Sequence, residues 1–219
     1  MSLKILFLDE LKGFYKSKVM IILWIGIPML SILLHFIPNT EDFPITSLIA
    51  ILIASIGGTL AAAMLSTSIA SEKSRHVYDL FLIRPVRRRN ILLAKFFAVY
   101  LCLIIATGIS LILGLIVDGL TIGILPEYVL VQTFESLCIS LAGMAISCSI
   151  GMLFGILVSS VPVAAILSVY LGNQLTALSI LPTVFLDFIN PILFGVIIGI
   201  SVSTCILTIS IMIFNRRQF

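Results

Sequence analysis

The chain has 219 residues, of which 60% are hydrophobic and only 11% charged, with a formal net charge of +3 and a mean hydropathy of +1.26. Soluble domains carry about 25% charged residues, so this composition excludes a water-covered globular surface and predicts an integral membrane protein. A spanning helix needs about 20 apolar residues, so six spans leave no room for a soluble catalytic domain of ordinary size. We therefore expect an all-α membrane protein in which residues 1–219 form a single transmembrane domain.

The N-terminal residues predict an amphipathic helix that lies in the membrane interface. Leu3, Leu6, Phe7, Leu11 and Phe14 recur at helical spacing, with charged residues between them. A cleavable signal peptide is not expected, because the apolar run that follows is too long and no A-x-A site comes after it.

Six apolar runs then predict six transmembrane helices. Their approximate bounds are 19–37, 45–70, 91–117, 129–158, 162–180 and 191–214. The fifth is the weakest, because it contains Asn173 and Gln174.

The basic residues predict the orientation of these spans. Four precede the first span, seven lie between the second span and the start of the third, and two follow the sixth, which accounts for all 13 Lys and Arg residues. The other connections carry acidic charges alone. By the positive-inside rule, this distribution predicts a multi-pass protein of the cell membrane with both termini in the cytoplasm.

Residues 71–90, "SEKSRHVYDLFLIRPVRRRN", form a charged segment with an apolar centre. On a helix, Val77, Leu80 and Phe81 share one face, and Pro85 predicts a break before the third span. One interpretation is a topogenic loop whose arginines contact anionic lipid headgroups, at about 1 kcal/mol per basic residue. It does not explain the apolar face, which needs lipid or a protein groove as a partner.

The stretch "SEKSRHVYDLFLIRPVRRRNILLAKF" resembles the signature of the ABC type-2 membrane-transport family. The matching positions are Glu72, Leu80, Pro85, Arg88 and Lys95. The six-span layout, the amphipathic N-terminal helix and the small size are also similar, so the resemblance covers the whole chain. The sequence departs from the family in two places. The family usually has a Gly after the residue that matches Glu72, and here residues 74–76 are Ser, Arg and His. The family usually has Ser or Thr soon after the residue that matches Pro85, and here residue 87 is Arg.

The resemblance implies that this loop contains a short cytoplasmic coupling helix, which docks in a groove of a separate ATPase subunit. The residues that it assigns to coupling are Glu72, Val77, Leu80, Phe81 and Pro85. The chain has no G-x-x-x-x-G-K-[ST] loop, so we expect no cofactor here and ATP bound by the partner subunit. The resemblance further implies an exporter that forms a homodimer, or a heterodimer with a similar permease, in the lipid bilayer.

Polar residues within the spans are sparse. Asn173 and Gln174 fall near the middle of the fifth span, where they either make structural hydrogen bonds or line a translocation path. The resemblance favours the path, because the second and fifth spans border it in these permeases. No metal site is expected, since the four cysteines lie singly in apolar runs and His35 is far from His76.

Three alternatives remain open. A haem-exporter-like membrane subunit of cytochrome c maturation has a similar size and topology. A membrane enzyme needs clustered His, Asp or Glu inside the spans, where Glu135 stands alone. A non-transporting membrane scaffold needs none of these features. No nucleic-acid partner is expected.

Overall fold

The computed structural model describes residues 3–15, 17–35, 45–75, 88–122, 127–185 and 191–216. These residues form seven α-helices and no strand, which confirms the all-α fold class for the described part of the chain. The helices are α1 (Leu3–Tyr15), α2 (Lys18–His35), α3 (Ile45–Ser74), α4 (Arg88–Ile122), α5 (Glu127–Leu157), α6 (Val161–Phe185) and α7 (Pro191–Arg216).

Each predicted span coincides with one of the helices α2 to α7, to within a few residues at either end. Three stretches of the described chain are long and apolar enough to cross a membrane, namely Arg89–Val117, Thr133–Leu157 and Leu193–Arg216. A further apolar helix segment, Val161–Ala177, is shorter. These stretches make the protein compatible with a membrane location, while the count of six spans and their orientation stay predictions.

Hydroxyl side chains inside the apolar helices bond back to their own helix. Thr107 donates to the carbonyl of Leu103 at 2.9 Å, and Ser149 donates to that of Ile146 at 2.7 Å. Within hydrocarbon every polar group needs such a partner, so these bonds let hydroxyl groups reside in apolar helices at little cost.

Helices α3, α5, α6 and α7 pack closely against one another, and we call them the core group. Glycines on α5 bring its backbone against that of α3. A Cβ placed on Gly151 lies 2.6 Å from the carbonyl oxygen of Ala62, and one on Gly155 lies 3.1 Å from that of Ser66. Small residues therefore set the separation of these two helices.

Helices α1, α2 and α4 form the second unit, which we call the flanking group, because α4 packs mainly against α1 and α2. The inner face of α1 buries Leu6 and Phe14, whereas its opposite face exposes Ile5, Leu8 and Tyr15. Helix α1 thus has two apolar faces, one covered by the bundle and the other free to contact lipid.

Candidate functional site

A buried cluster of three charged side chains joins α1, α3 and α4. Its centre is Lys95 on α4, whose side chain is only 3% exposed. The ammonium nitrogen Nζ lies 2.6 Å from Oε1 of Glu72 on α3 and 2.9 Å from Oε1 of Glu10 on α1. One cation therefore ties together three helices from both helix groups.

Neighbouring groups complete the surroundings of this ammonium. Ser68 Oγ lies 3.5 Å from Lys95 Nζ and 3.4 Å from Glu72 Oε1, and the ring centroid of Phe14 lies 5.9 Å from the nitrogen. Lysine has three N–H donors, and three oxygen acceptors surround it here. The second oxygen of Glu72, Oε2, is buried and has no hydrogen-bond partner among the residues that the structure describes.

Helix geometry explains why these side chains meet. Leu6, Glu10 and Phe14 recur every four residues, so Glu10 lies on the buried face of α1 between two apolar residues. Glu72 is in the last turn of α3, and Lys95 is about two turns into α4. Residues 76–87 connect these two helices in the sequence. The cluster therefore lies close to the helix ends from which this connection starts and to which it returns.

The cluster has a net charge of −1, because one ammonium serves two carboxylates. Burial raises the pKa of Glu10 above its ordinary value of 4.5, because desolvation penalises the charged form. The charge of Lys95 and its hydrogen bond to Glu10 lower the pKa of Glu10 but do not cancel the effect of burial. The negative charges of Glu72 and Asp9 add to the rise.

Lys73 fixes the same end of α3 to α5. Its Nζ donates to the carbonyl oxygen of Ile156 at 3.1 Å and to Ser159 Oγ at 3.4 Å. Ile156 is in the last turn of α5, where carbonyls lack helical partners and attract a positive charge. Adjacent residues of α3 thus bind in different directions, Glu72 to the flanking group and Lys73 to the core group.

Of the residues that the resemblance assigns to coupling, the described structure contains only Glu72. Val77, Leu80, Phe81 and Pro85 lie outside the described residues. Glu72 is in contact with Lys95, which is another position of the same motif.

The two polar residues predicted to line a path lie on the exposed side of α6. Asn173 and Gln174 border an open groove of about 530 Å³, together with Tyr170 and three apolar residues of the same helix. Asn173 Oδ1 also accepts a hydrogen bond from Ser55 Oγ of α3 at 3.1 Å. The structural interpretation therefore applies to Asn173, while the exposure of both side chains is compatible with the path.

Sequence reasoning did not identify Glu10 as a site residue, and it placed Lys95 in the motif without giving it a role in coupling. Each carried a signal: Glu10 interrupts the apolar face of α1, and Lys95 stands within the apolar run that opens α4. A charged side chain at an apolar position needs a partner, and here each is the partner of the other.

No group of three or more His, Cys, Asp or Glu side chains with metal-binding geometry occurs among the residues that the structure describes. Comparison with known protein families finds no family that matches this chain, and comparison with characterised proteins finds no match either.

Proposed function

We propose that this chain is the membrane-spanning permease subunit of an ATP-binding-cassette exporter. It forms the translocation path together with a second copy or a similar permease, and a separate ATPase subunit drives it. The proposal combines the family resemblance of residues 71–96 with the composition of a membrane protein and the geometry of the charged cluster.

The observation that carries the proposal is the contact between Glu72 and Lys95. These residues are 23 positions apart and lie on either side of residues 76–87. Lys95 Nζ is 2.6 Å from Glu72 Oε1. A buried, hydrogen-bonded ion pair holds its partners in one geometry, because separating them leaves uncompensated charges in a poorly solvated site. Force applied to the segment by a partner would therefore reach α3 and α4 together.

The contacts around this pair extend the connection to other helices. Glu10 links α1 to the same ammonium, and Lys73 links the end of α3 to the end of α5. Polar contacts near the ends of residues 76–87 thus link four helices, α1, α3, α4 and α5. This arrangement suits a part that passes motion from a cytoplasmic partner into a helical bundle.

The groove on α6 supports the transport side of the proposal. Asn173 and Gln174 expose polar groups on a predominantly apolar helix, and such exposure is unfavourable against lipid. A second permease subunit covering this face would enclose a polar path between the two chains.

The proposal is tested by co-expressing the chain with an ATPase subunit encoded beside its gene, purifying the complex and measuring ATP hydrolysis in lipid nanodiscs. We expect no hydrolysis by the chain alone, and hydrolysis by the complex that Glu72→Gln reduces. Asp9→Asn is the matched control, because Asp9 is an exposed carboxylate next to Glu10.

Each alternative predicts a different outcome of that experiment. ATP hydrolysis by the chain alone would identify an enzyme. A complex whose hydrolysis is unaffected by Glu72→Gln would contradict coupling through the cluster, and failure to bind the ATPase subunit would contradict the proposal itself.

A further inference from the structure

The two helix groups differ in how their members are held together. Within the core group, backbones meet directly, as at Gly151 and Ala62. Buried polar contacts reinforce them: Ser66 Oγ and Ser168 Oγ lie 2.9 Å apart, and Ser147 Oγ donates to the carbonyl of Gly172 at 3.3 Å. Helices in direct backbone contact have little room to slide, so the core group has the packing of a rigid unit.

At Gly57 of α3, side chains rather than backbone fill the boundary between the groups. A Cβ placed on Gly57 of α3 lies 3.4 Å from Ile27 Cδ1 of α2 and 3.7 Å from Leu103 Cδ2 of α4. The hydrophobic cluster that includes residues of both groups also contains the methionines Met20, Met64, Met144 and Met152. Such side chains can change rotamer and still fill space, which permits packed helices to shear by small amounts.

Two residues in the first half of α4 make polar contacts across this boundary in the part of the chain that the structure describes. Lys95 bonds to Glu72 and Ser68 of α3, and Tyr100 donates to the carbonyl of Leu141 of α5 at 3.3 Å. The Lys95–Glu72 contact is the strongest of them, because both partners are charged and the distance is short. Its acceptor is also held in the core group by the neighbouring Lys73.

We infer that the chain moves as two helix groups, the core group and the flanking group, which shear against each other about a fixed point at the Lys95–Glu72 contact. The contact restrains the groups at the end of the bundle that carries the charged segment. The packing at the boundary permits relative movement further along the helices. This inference concerns the chain itself and does not depend on an ATPase partner.

Distances between pairs of spin labels in lipid nanodiscs test the inference. The four native cysteines are first replaced, and labels are placed at exposed positions. The pair Phe97 and Met212 measures a distance between the two groups near the Lys95–Glu72 contact. The pair Ile116 and Ile197 measures a distance between the groups at the other end of the bundle. The pair Phe134 and Ile197 measures a distance within the core group. In the wild-type chain we expect narrow distance distributions for the first and third pairs and a broader one for the second.

The variant Lys95→Met should then abolish the narrow distribution of the Phe97–Met212 pair and leave that of the Phe134–Ile197 pair unchanged. Lys73→Met is the matched control. It removes an ammonium at the same end of the bundle, but the described bond of that ammonium to the carbonyl of Ile156 lies within the core group. It should leave the Phe97–Met212 distribution narrow.

A second variant covers the case in which Lys95→Met does not fold. The triple substitution Glu10→Gln, Glu72→Gln and Lys95→Met removes the contact without leaving buried charges unpaired, and the same loss of the narrow distribution is expected. If that distribution stays narrow, or if the Phe134–Ile197 pair broadens equally, Lys95 only stabilises the bundle as a whole and the inference is wrong.

Discussion

Lys95 joins polar side chains of three helices through a single ammonium group. Its ammonium binds carboxylates from two helices while its side chain is almost completely buried. Ion pairs of this kind contribute less to net stability than their geometry implies, because desolvation offsets the attraction. Losing one partner is nevertheless unfavourable, since the remaining charges stay buried.

The first prediction follows from that asymmetry. Lys95→Met should lower the free energy of unfolding by about 3 kcal/mol, because it leaves two carboxylates without their cation. Lys73→Met should cost only about 1 kcal/mol, since Lys73 is half-buried and the two acceptors described for it, the carbonyl of Ile156 and Ser159 Oγ, are neutral. Unfolding of the purified chain in mixed detergent micelles measures both values. Equal losses would contradict the central position given to Lys95.

The second prediction concerns the pH dependence of stability. Burial holds the pKa of Glu10 above 4.5, so the folded chain binds this proton at a higher pH than the unfolded chain. The stability contributed by this proton is fully present below pH 4.5 and is lost as the pH rises through the folded pKa. Wild-type stability should therefore increase relative to that of Glu10→Gln as the pH falls through this window. Apparent melting temperatures of the two proteins at several pH values measure the trend, and the opposite slope would show that the attraction of Lys95 outweighs burial.

At the scale of the helices, sequence and structure agree because lipid imposes a simple requirement. A segment within hydrocarbon must satisfy its own backbone hydrogen bonds, so each long apolar run predicts a helix of nearly the same length. The predicted and observed ends differ by only a few residues, as at Arg88, where α4 begins one turn before its apolar run. Charged and polar residues at helix ends extend the helices beyond the hydrophobic signal.

The pairing of helices was less accessible from sequence. Small residues recur every four positions in the fourth predicted span, at Gly143, Ser147, Gly151 and Gly155. This pattern favours a close helix contact but does not specify which helix makes it. The contact of Glu10 with Lys95 depends on how α1 packs against α4, which one-dimensional periodicity does not specify. Glu72 and Lys95 belong to one local motif, whereas Glu10, which contacts the same ammonium, comes from another part of the chain.

The third prediction tests the close contact of α3 and α5. Gly151→Ala should lower the free energy of unfolding by about 1–3 kcal/mol, because the new Cβ meets the backbone of Ala62 at 2.6 Å and must force the helices apart. Gly108→Ala is the matched control on α4. A Cβ there has nothing within 4 Å, so the better helix propensity of Ala should leave stability unchanged or raise it by up to about 1 kcal/mol. A destabilised Gly108→Ala together with an unaffected Gly151→Ala would contradict the packing described for these two helices.

At the scale of the whole molecule, the charges predict one arrangement in the membrane. Every Lys and Arg belongs to the three segments predicted to be cytoplasmic, and the remaining connections carry acidic residues. The Lys95 cluster then lies near the cytoplasmic surface, where a partner protein can reach the segment above it.

The fourth prediction is this topology. Single cysteines replacing Lys12, Arg88 and Arg217 should react with a membrane-impermeant maleimide only after the membrane is opened, because the positive-inside rule predicts that these positions face the cytoplasm. Cysteines replacing Glu41 and Asp187 should react in intact cells. Labelling of position 88 from outside would contradict the six-span arrangement.

The central claim is that this chain transmits the work of an ATPase through the segment between α3 and α4. The most direct measurement is substrate-independent ATP hydrolysis by the purified complex, compared between Leu80→Asp and Arg88→Ala at equal membrane abundance. Leu80→Asp should abolish complex formation or hydrolysis, because losing an apolar anchor at an interface typically costs about 2 kcal/mol or more, over tenfold in association. Arg88→Ala should have a much smaller effect, since a lipid contact of an exposed basic residue contributes about 1 kcal/mol. Normal hydrolysis with Leu80→Asp and a loss with Arg88→Ala would show that the segment acts through its charge, and would contradict a docking helix at this position.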